Sequence, residues 1–218
     1  MSKWYVVKNG RKPGIYKTWD ECKAQTDGYS GAVFKSFLSE YEAKEYFYST
    51  DARNGLVFEA TLDKKGKLLA YTDGSYTSGS YNEGKQPLSG YGVVFVIDDN
   101  IVGEFCGECN LSPKIRNIGG ELMAAMQAVK MAYEAGYQEL IICHDLQNIQ
   151  MWGNNLWKTN IKETQEFRDY ITEIRKQGFL IEFAWVKGHN GNKYNSHADT
   201  LAAKGAAGKH VDYLVPHE

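Results

Sequence analysis

The chain has 218 residues, of which 43% are hydrophobic and 24% are charged, and its formal net charge is −2. This length allows one large domain or one domain with a small appendage, and the near-neutral charge argues against a protein coated with basic surface. No stretch has the roughly 18 apolar residues of a membrane span and no apolar secretory segment follows the first residues, so we expect a cytoplasmic monomer with no membrane partner.

The first fifty residues predict a small ββαβα domain. Turn residues separate the first two strands, at Asn9-Gly10 and Pro13-Gly14. Thr18 and Glu21 have the spacing of a capping box, so a helix should begin there. The predicted strands are 3–8, 15–18 and 32–37, and a second helix is predicted over 43–48. This domain carries a small excess of basic residues, whereas the rest of the chain carries a small excess of acidic ones.

A larger domain is predicted to follow. Residues 51–66 resemble a linker with one strand-like patch at 56–60, residues 67–208 form the larger domain, and residues 209–218 form a tail. Strands are predicted near 68–73, 91–98, 101–109, 139–144 and 179–186, and helices near 119–135, 146–153, 163–177 and 196–207. Short turns make the first three strands antiparallel, whereas the nearly all-apolar strand 139–144 suits a covered, parallel position. The predicted fold is therefore α/β with α+β character, a five-stranded mixed sheet with helices on both faces.

Four acidic residues lie at the ends of apolar runs. Asp73 follows the run 68–72, Glu121 begins a helical run, Asp145 follows the strand 140–144, and Asp199 begins the last helix. If the fold brings them together, they repel one another too strongly to remain ionised without divalent cations. A site of four carboxylates on an α/β sheet indicates phosphodiester hydrolysis, so we interpret the protein as a nuclease.

Three of the four acidic residues also have a purely structural interpretation. Asp73 with the following glycine is typical of a hairpin turn, and Glu121 favours a helix N-terminus through the macrodipole. Asp199 lies three residues after Ser196, the spacing of a capping box, so it suits a helix cap. Small residues at 125, 128 and 132 predict that the helix of Glu121 packs closely on the sheet, which would hold that carboxylate near the sheet rather than in open solvent.

Cys106 and Cys109 form a C-x-x-C pair. A zinc site needs a second pair at comparable spacing, which the sequence lacks. A redox pair usually lies at a helix start, whereas this one lies in a strand-like stretch. We therefore expect both cysteines to be structural.

Residues 67–207 resemble the type 1 ribonuclease H domain. The matching pieces are Tyr-Thr-Asp73-Gly-Ser, Gly-Gly-Glu121-Leu-Met-Ala, Asp145, Val-Lys-Gly-His189-Asn-Gly and Asp199. The resemblance implies an endonuclease that hydrolyses the RNA strand of RNA/DNA hybrids and leaves 5′-phosphate and 3′-hydroxyl ends. It also implies that the four carboxylates bind two cations, Mg²⁺ or else Mn²⁺, about 4 Å apart.

The same resemblance implies individual roles. Asp73 would bridge both ions, Glu121 and Asp145 would hold the ion nearer the leaving group, and Asp199 would hold the ion that activates water. His189 would assist proton transfer or product release, which suits a histidine at neutral pH, although a lone loop histidine is more often solvated. Residues that match the family's contacts to RNA or to the paired DNA are Gly74, Tyr76, Asn117 and Gln147.

The sequence departs from this family at two places. Where the family often has Asp-Ser-Gln, this chain has Asp145-Leu146-Gln147, so a hydroxyl is absent beside the third carboxylate. The segment between Asp145 and His189 is also short and lacks the lysine-rich protruding helix that many members use to bind the hybrid. We therefore expect weak substrate affinity in this domain alone.

Residues 1–50 resemble the viroplasmin-like hybrid-binding domain that precedes many such enzymes. The matching strings run from Trp4 to Trp19 and from Gly31 to Phe37. Tyr5, Trp19 and Lys35 match the family's contact positions, while Ser36 replaces a second lysine. Basic groups among aromatic ones suit a nucleic-acid surface, because the cations neutralise phosphate and the rings stack on bases. The structural alternative places Trp19 and Phe34 in the core of a tiny domain.

Two other functions stay open from the sequence. A non-catalytic protein that binds RNA-containing duplexes would keep residues 1–50 and lose a carboxylate, but all four are present. A related metal nuclease acting on DNA junctions would not need the hybrid-binding domain. Cleavage of all-DNA substrates would favour that second alternative.

Overall fold

A computed structural model describes residues 3–38, 43, 46, 47, 57, 59–77, 88–186 and 192–217. The chain separates into two compact units, with the division between Leu62 and Asp63. No helix in the described ranges is long and apolar enough to cross a membrane. Within the predicted linker, Glu59–Thr61 form one turn of 3-10 helix, so a strand through residues 59 and 60 is wrong.

The N-terminal unit contains an antiparallel sheet of three strands and a helix. In chain order they are β1 (Trp4–Asn9), β2 (Gly14–Tyr16), α1 (Trp19–Thr26) and β3 (Val33–Phe37), and β1 is the central strand. The capping box is confirmed, because Glu21 N donates to Thr18 Oγ1 at 3.3 Å and Thr18 N donates to Glu21 Oε2 at 3.1 Å. Of the predicted helix 43–48, residues 43, 46 and 47 are helical and the others lie outside the described residues.

The larger unit contains a mixed sheet with helices on both faces, which confirms the predicted fold class. Its elements are β4 (Leu69–Thr77), β5 (Leu88–Ile97), β6 (Asn100–Glu108), α2 (Asn117–Glu134), β7 (Glu139–His144), α3 (Gln147–Gly153), α4 (Lys162–Lys176), β8 (Leu180–Trp185), α5 (Lys193–Ala206) and β9 (Val211–Leu214). The strand order is β8-β7-β4-β5-β6-β9, with β7 parallel to both β4 and β8 and the other pairs antiparallel.

The prediction of five strands was wrong by one, because part of the predicted tail is a strand. β9 pairs antiparallel with the edge strand β6, and it is stabilised beyond that ladder as well. Val215 N donates to Val102 O at 3.0 Å, and the Tyr137 hydroxyl donates to Val215 O at 2.8 Å. The strand covers an edge of the sheet that would otherwise expose unpaired backbone groups.

The two faces of the sheet are covered by different helices. Apolar side chains of α2, α3 and α4 form one continuous core with alternate residues of β4 and β5, such as Ala70 and Val93. The opposite face receives α5, whose Tyr194 ring lies 5.1 Å from the ring of Tyr71 in β4. β4 and β5 are therefore buried on both sides, and side chains at the carboxyl-terminal half of β4 can be reached from α2 as well as from α5.

The two cysteines of the C-x-x-C pair lie on opposite faces of this sheet. The Cys106 thiol donates to Lys209 O at 3.6 Å, just after α5, whereas Cys109 Sγ lies against Gly119 in α2. Both thiols are free. This arrangement agrees with the structural interpretation of the pair.

Candidate active site

Three of the four acidic residues meet in the centre of the larger unit. Asp73, Glu121 and Asp145 each offer a carboxylate oxygen, and these oxygens lie within 4.8 Å of one another. Tyr71 of β4 is in register with Cys143 of the parallel strand β7, so Asp73 and Asp145, each two residues further on, reach the same level of the sheet. The chain order of the motifs thus becomes a spatial cluster.

Asp73 lies in the middle of β4 and not at its end. The strand continues to Thr77, and Asp73 is paired with Gly92 of β5. The alternative of a hairpin turn is therefore wrong. The turn-like residues after Asp73 belong to the strand because its pairing with β5 continues to Thr77, and the glycine after Asp73 allows a helix to pack directly against the strand.

Glu121 reaches the sheet because two glycines remove the side chains between α2 and β4. A Cβ at Gly74 would collide with the backbone nitrogen of Glu121, and a Cβ at Gly120 would lie 2.7 Å from the Cα of Gly74. Glu121 lies in the second turn of α2, beyond the first turn, where the macrodipole acts most strongly. Its side chain is only 4% exposed.

Asp199 approaches the cluster from the opposite face of the sheet. It is exposed and lies in the second turn of α5, whose N-cap is Asn192, so the alternative that Asp199 caps this helix is wrong. The Asn192 side chain accepts hydrogen bonds from the backbone nitrogens of Tyr194 and Asn195 at 3.0 and 3.1 Å. Asp199 is outside the group of three oxygens, yet its charge contributes to a raised pKa at Asp73.

The carboxylates strongly perturb one another. Burial and then the charge of Asp145 raise the pKa of Asp73 to about 7, although hydrogen bonds with Glu121 and from the Gly74 nitrogen at 2.7 Å oppose the shift. Burial and the charges of Asp73 and Asp145 raise the pKa of Glu121 well above its usual range. Such shifts mark groups whose negative charge has no compensating cation nearby.

The donor set fits a divalent cation of the hard class. All three groups offer carboxylate oxygens, which Mg²⁺ and Mn²⁺ favour as ligands. Among the described residues, the buried Oε2 of Glu121 has no hydrogen-bond partner. A buried oxygen left without a donor costs free energy unless a ligand satisfies it, so these residues can hold a metal ion.

Three of the four predicted substrate residues lie on β4 or α2, the elements that carry Asp73 and Glu121. Gly74 faces the first turn of α2, where a Cβ would lie 2.7 Å from the backbone oxygen of Asn117. Tyr76 is half-buried further along β4, on the same side of the strand as Gly74, and Gln147 begins α3 two residues after Asp145. His189 lies outside the described residues.

In the N-terminal unit, two of the three predicted contact residues lie together, and the third lies apart from them. The rings of Tyr5 and Trp19 lie 5.7 Å apart, and Trp19 and Phe34 are also 5.7 Å apart. Lys35 is on the other face of the sheet, with its ammonium 5.3 Å from the ring centre of Phe37 and 5.2 Å from that of Tyr46. Lys35 therefore does not share a surface with Tyr5, Trp19 and Phe34.

Trp19 and Phe34 are exposed, so the alternative that they form the core of the small unit is wrong. Trp19 is 43% exposed and Phe34 is 45% exposed, whereas Val6, Val7 and Cys22 are fully buried. The sequence did not single out Phe34 beside Tyr5 and Trp19. The signal was present in strand alternation, since Val7 pairs with Phe34 and Tyr5 with Ser36, which places Tyr5 and Phe34 on one face.

Comparisons with known proteins agree with the division of the chain into two units. Residues 3–47 match the family model of the ribonuclease H1 N-terminal domain, and residues 65–207 match that of RNase H. Human ribonuclease H1 is 27% identical over 93% of this chain and 89% of that protein. The ribonuclease H of Schizosaccharomyces pombe is 26% identical over 94% of this chain and 97% of its own length.

Two solved structures share the fold of the larger unit. RNase H1 from Halobacterium salinarum is 21% identical, covers 64% of this chain and 97% of its own, and superposes with a TM-score of 0.53. LC11-RNase H1 in complex with an RNA/DNA hybrid is 18% identical, covers 65% of this chain and 97% of its own, and has the same TM-score. At these identities the likeness concerns the fold alone.

Proposed function

Because this chain belongs to the ribonuclease H family, we propose that it hydrolyses the RNA strand of RNA/DNA hybrids with two divalent cations, leaving 5′-phosphate and 3′-hydroxyl ends. One observation carries the proposal. Three carboxylates from three separate elements converge within 4.8 Å, and the buried Glu121 contributes an oxygen that no described donor satisfies. Nothing but a cation neutralises such a group at neutral pH without protonating it.

The four carboxylates divide between two ions in this proposal. Asp73 would be a ligand of both ions. Glu121 and Asp145 would hold the ion that stabilises the leaving oxygen, and Asp199, on α5, would hold the ion that activates the attacking water. When bound, two such ions make a water more acidic and neutralise charge on the leaving oxygen. Mg²⁺ is the expected ion and Mn²⁺ a substitute, since both prefer oxygen ligands.

Residues beside the carboxylates recognise the substrate. Gly74 keeps this part of β4 free of a side chain, while the amides of Asn117 and Gln147 offer donors and acceptors to the 2′-hydroxyl, which distinguishes RNA from DNA. Tyr76 extends this surface along β4. His189 transfers a proton or assists product release.

The N-terminal unit supplies the affinity that the catalytic unit lacks. Tyr5, Trp19 and Phe34, which we call the aromatic cluster, lie together, and the exposed rings of Trp19 and Phe34 are available for stacking on bases or sugars. Lys35 neutralises phosphate from the opposite face of the small sheet. Residues 51–66 connect the two units. In this proposal the first unit holds the hybrid and the second unit cleaves it.

The test of this proposal is the chemistry of the products. The full chain, Mg²⁺ and a hybrid with labelled RNA should yield RNA fragments that a 5′-phosphate-dependent exonuclease degrades and a polymerase extends from the 3′ end. All-RNA and all-DNA duplexes should stay intact. Fragments with 2′,3′-cyclic phosphate ends would contradict the two-metal mechanism, and cleavage of all-DNA junctions would favour the alternative nuclease.

A further inference from the structure

Asp145 lies in a short stretch of backbone outside the regular elements. β7 ends at His144 and α3 begins at Gln147, so Asp145 and Leu146 belong to neither. Their carbonyls accept no sheet hydrogen bond within the parallel pairs, which end at His144. The position of the Asp145 carboxylate therefore depends on what else holds this turn.

Two side chains donate to the two carbonyls of this turn. Trp185, the last residue of β8, donates its indole N–H to Asp145 O at 3.0 Å. The Nδ1 of the buried His144 lies 3.0 Å from Leu146 O, and since a carbonyl only accepts, Nδ1 carries the proton. The carbonyls of Asp145 and Leu146 are thus each held by a side chain from a different strand.

The sequence departure at residue 146 removes one side chain that could otherwise hold this turn. Leu146 is the N-cap of α3, and it makes no side-chain capping bond. A leucine cannot supply the oxygen that serine, threonine or aspartate provides at this position. At the same time, Asp145 is held next to Asp73 and Glu121, and repulsion between like charges pushes it away from them.

We propose that Trp185, assisted by His144, is a positioning residue that holds Asp145 within the metal-binding group. This inference rests on the proposed function, because it assigns how one of the proposed ligands is kept in place. Trp185 also lies two residues before the segment 187–191 that contains His189. Neither Trp185 nor His144 touches the substrate in this proposal; both act through the backbone of the Asp145 turn.

The test replaces the donor and measures Mg²⁺ binding directly. Trp185→Phe keeps an aromatic ring and removes the N–H. Isothermal titration of the metal-free full chain with Mg²⁺ should show an affinity reduced by about two- to tenfold, the loss expected for one neutral hydrogen bond. Steady-state cleavage should need correspondingly more Mg²⁺, while KM for the hybrid stays unchanged. Trp152→Phe, at a part-buried tryptophan on α3, should leave the Mg²⁺ affinity unaltered.

A double-mutant cycle separates positioning from a general loss of stability. In the Asp145→Asn background, Trp185→Phe should cause no further loss of Mg²⁺ affinity, since the carboxylate it positions is already gone. An equal loss in both backgrounds, or native Mg²⁺ affinity in Trp185→Phe, would overturn the inference. Absence of Mg²⁺ binding by the unaltered chain would overturn the proposed metal site and this inference with it.

The His144 donor provides a second, independent pair of variants. His144→Asn keeps a donor near the place of Nδ1, whereas His144→Leu removes it. Mg²⁺ affinity should fall in the leucine variant and recover in the asparagine variant. Equal Mg²⁺ affinities in the two variants would overturn the part assigned to His144, whatever happens to their melting temperatures.

Discussion

Gly92 lies directly across the β4–β5 ladder from Asp73, and its missing side chain is what allows α5 to bring Asp199 to the same place. A Cβ at residue 92 would collide with the carbonyl oxygen of Ala198 and would lie 2.5 Å from the backbone nitrogen of Ala202. The fourth carboxylate thus depends on a glycine in a neighbouring strand.

The first prediction concerns this close packing. Gly92→Ala should force α5 outward, lower the free energy of unfolding by about 1–3 kcal/mol, and reduce the cleavage rate by about 100-fold, because Asp199 moves with its helix. Initial rates on a hybrid and urea denaturation measure both effects. Gly136→Ala is the control: its Cβ would meet no atom within 4 Å, and its φ of +88° makes it costly only for stability. Native cleavage by Gly92→Ala would refute this role.

The second prediction concerns the aromatic cluster. Trp19→Ala and Phe34→Ala should each raise KM for the hybrid by about 5- to 100-fold, as expected for the loss of a stacking contact. The single-turnover rate at saturating hybrid should stay native, because the carboxylates are untouched. Tyr29→Ala, which removes another exposed aromatic side chain of the same unit, is the matched control.

The same experiment extends to the predicted hybrid-binding domain, residues 1–50. Deletion of residues 1–50 should raise KM at least as much as either substitution, or reduce processivity, and should again spare single-turnover chemistry. Unchanged hybrid binding by the deletion variant would contradict the role assigned to this unit.

The third prediction concerns stability and pH. Asp73 has a folded pKa of about 7, above the value of about 3.9 in an unfolded chain. Between these pH values the unfolded chain has released the proton and the folded chain has kept it. The metal-free protein should therefore lose up to about 1.4 kcal/mol of stability for each pH unit as the pH rises from 4 to 7.

Asp73→Asn should remove this loss of stability at rising pH. Urea denaturation in the presence of a chelator should find the variant more stable than the native chain at pH 8, with the difference shrinking toward pH 4. Mg²⁺ should stabilise the native chain and not the variant, because a ligand stabilises only the state that binds it. Glu108→Gln, at an exposed carboxylate away from the site, should show neither effect. A native protein that is the more stable of the two at pH 8 would contradict the prediction.

The fourth prediction concerns Arg175, which ties three elements together. Its guanidinium donates to Gly153 O at 2.8 Å, to Asn154 Oδ1 at 2.9 Å and to Ile181 O at 2.6 Å. Arg175→Met should leave these part-buried acceptors unsatisfied and lower the free energy of unfolding by about 2–4 kcal/mol. Lys176→Met, its exposed neighbour, should change stability by less than about 0.5 kcal/mol. Equal stabilities of the two variants by urea denaturation would show that the network contributes nothing.

Local signals in the sequence were sufficient for much of this structure. The capping box at Thr18 and the apolar strand before Asp145 each depend on residues close together in the chain, and both elements are where the sequence placed them. β9 was missed because its four residues become a strand only by pairing with β6, a contact about a hundred residues away. The start of α5 was misplaced by three residues because Asn192, and not Ser196, is its cap.

The site itself was less predictable than the elements that carry it. Motifs identified the carboxylates, but the Asp-Gly-Ser sequence that begins at Asp73 resembles a turn, and its pairing with residues 90–92 of β5 makes it part of a strand. Phe34 entered the sequence analysis only through the structural alternative of a small core, whereas its ring is exposed. Trp185 carried no signal at all, since its hydrogen bond to Asp145 spans forty residues.

The most direct test of the account is cleavage of a labelled RNA/DNA hybrid with Mg²⁺ by the native chain and by Asp145→Asn, with hybrid binding measured in parallel. We expect the native chain to cleave the hybrid and to spare all-RNA and all-DNA duplexes. Cleavage should disappear with chelator and in Asp145→Asn, while the variant still binds the hybrid. A native chain that binds the hybrid and does not cleave it would contradict the account and would make the protein a binder of RNA-containing duplexes.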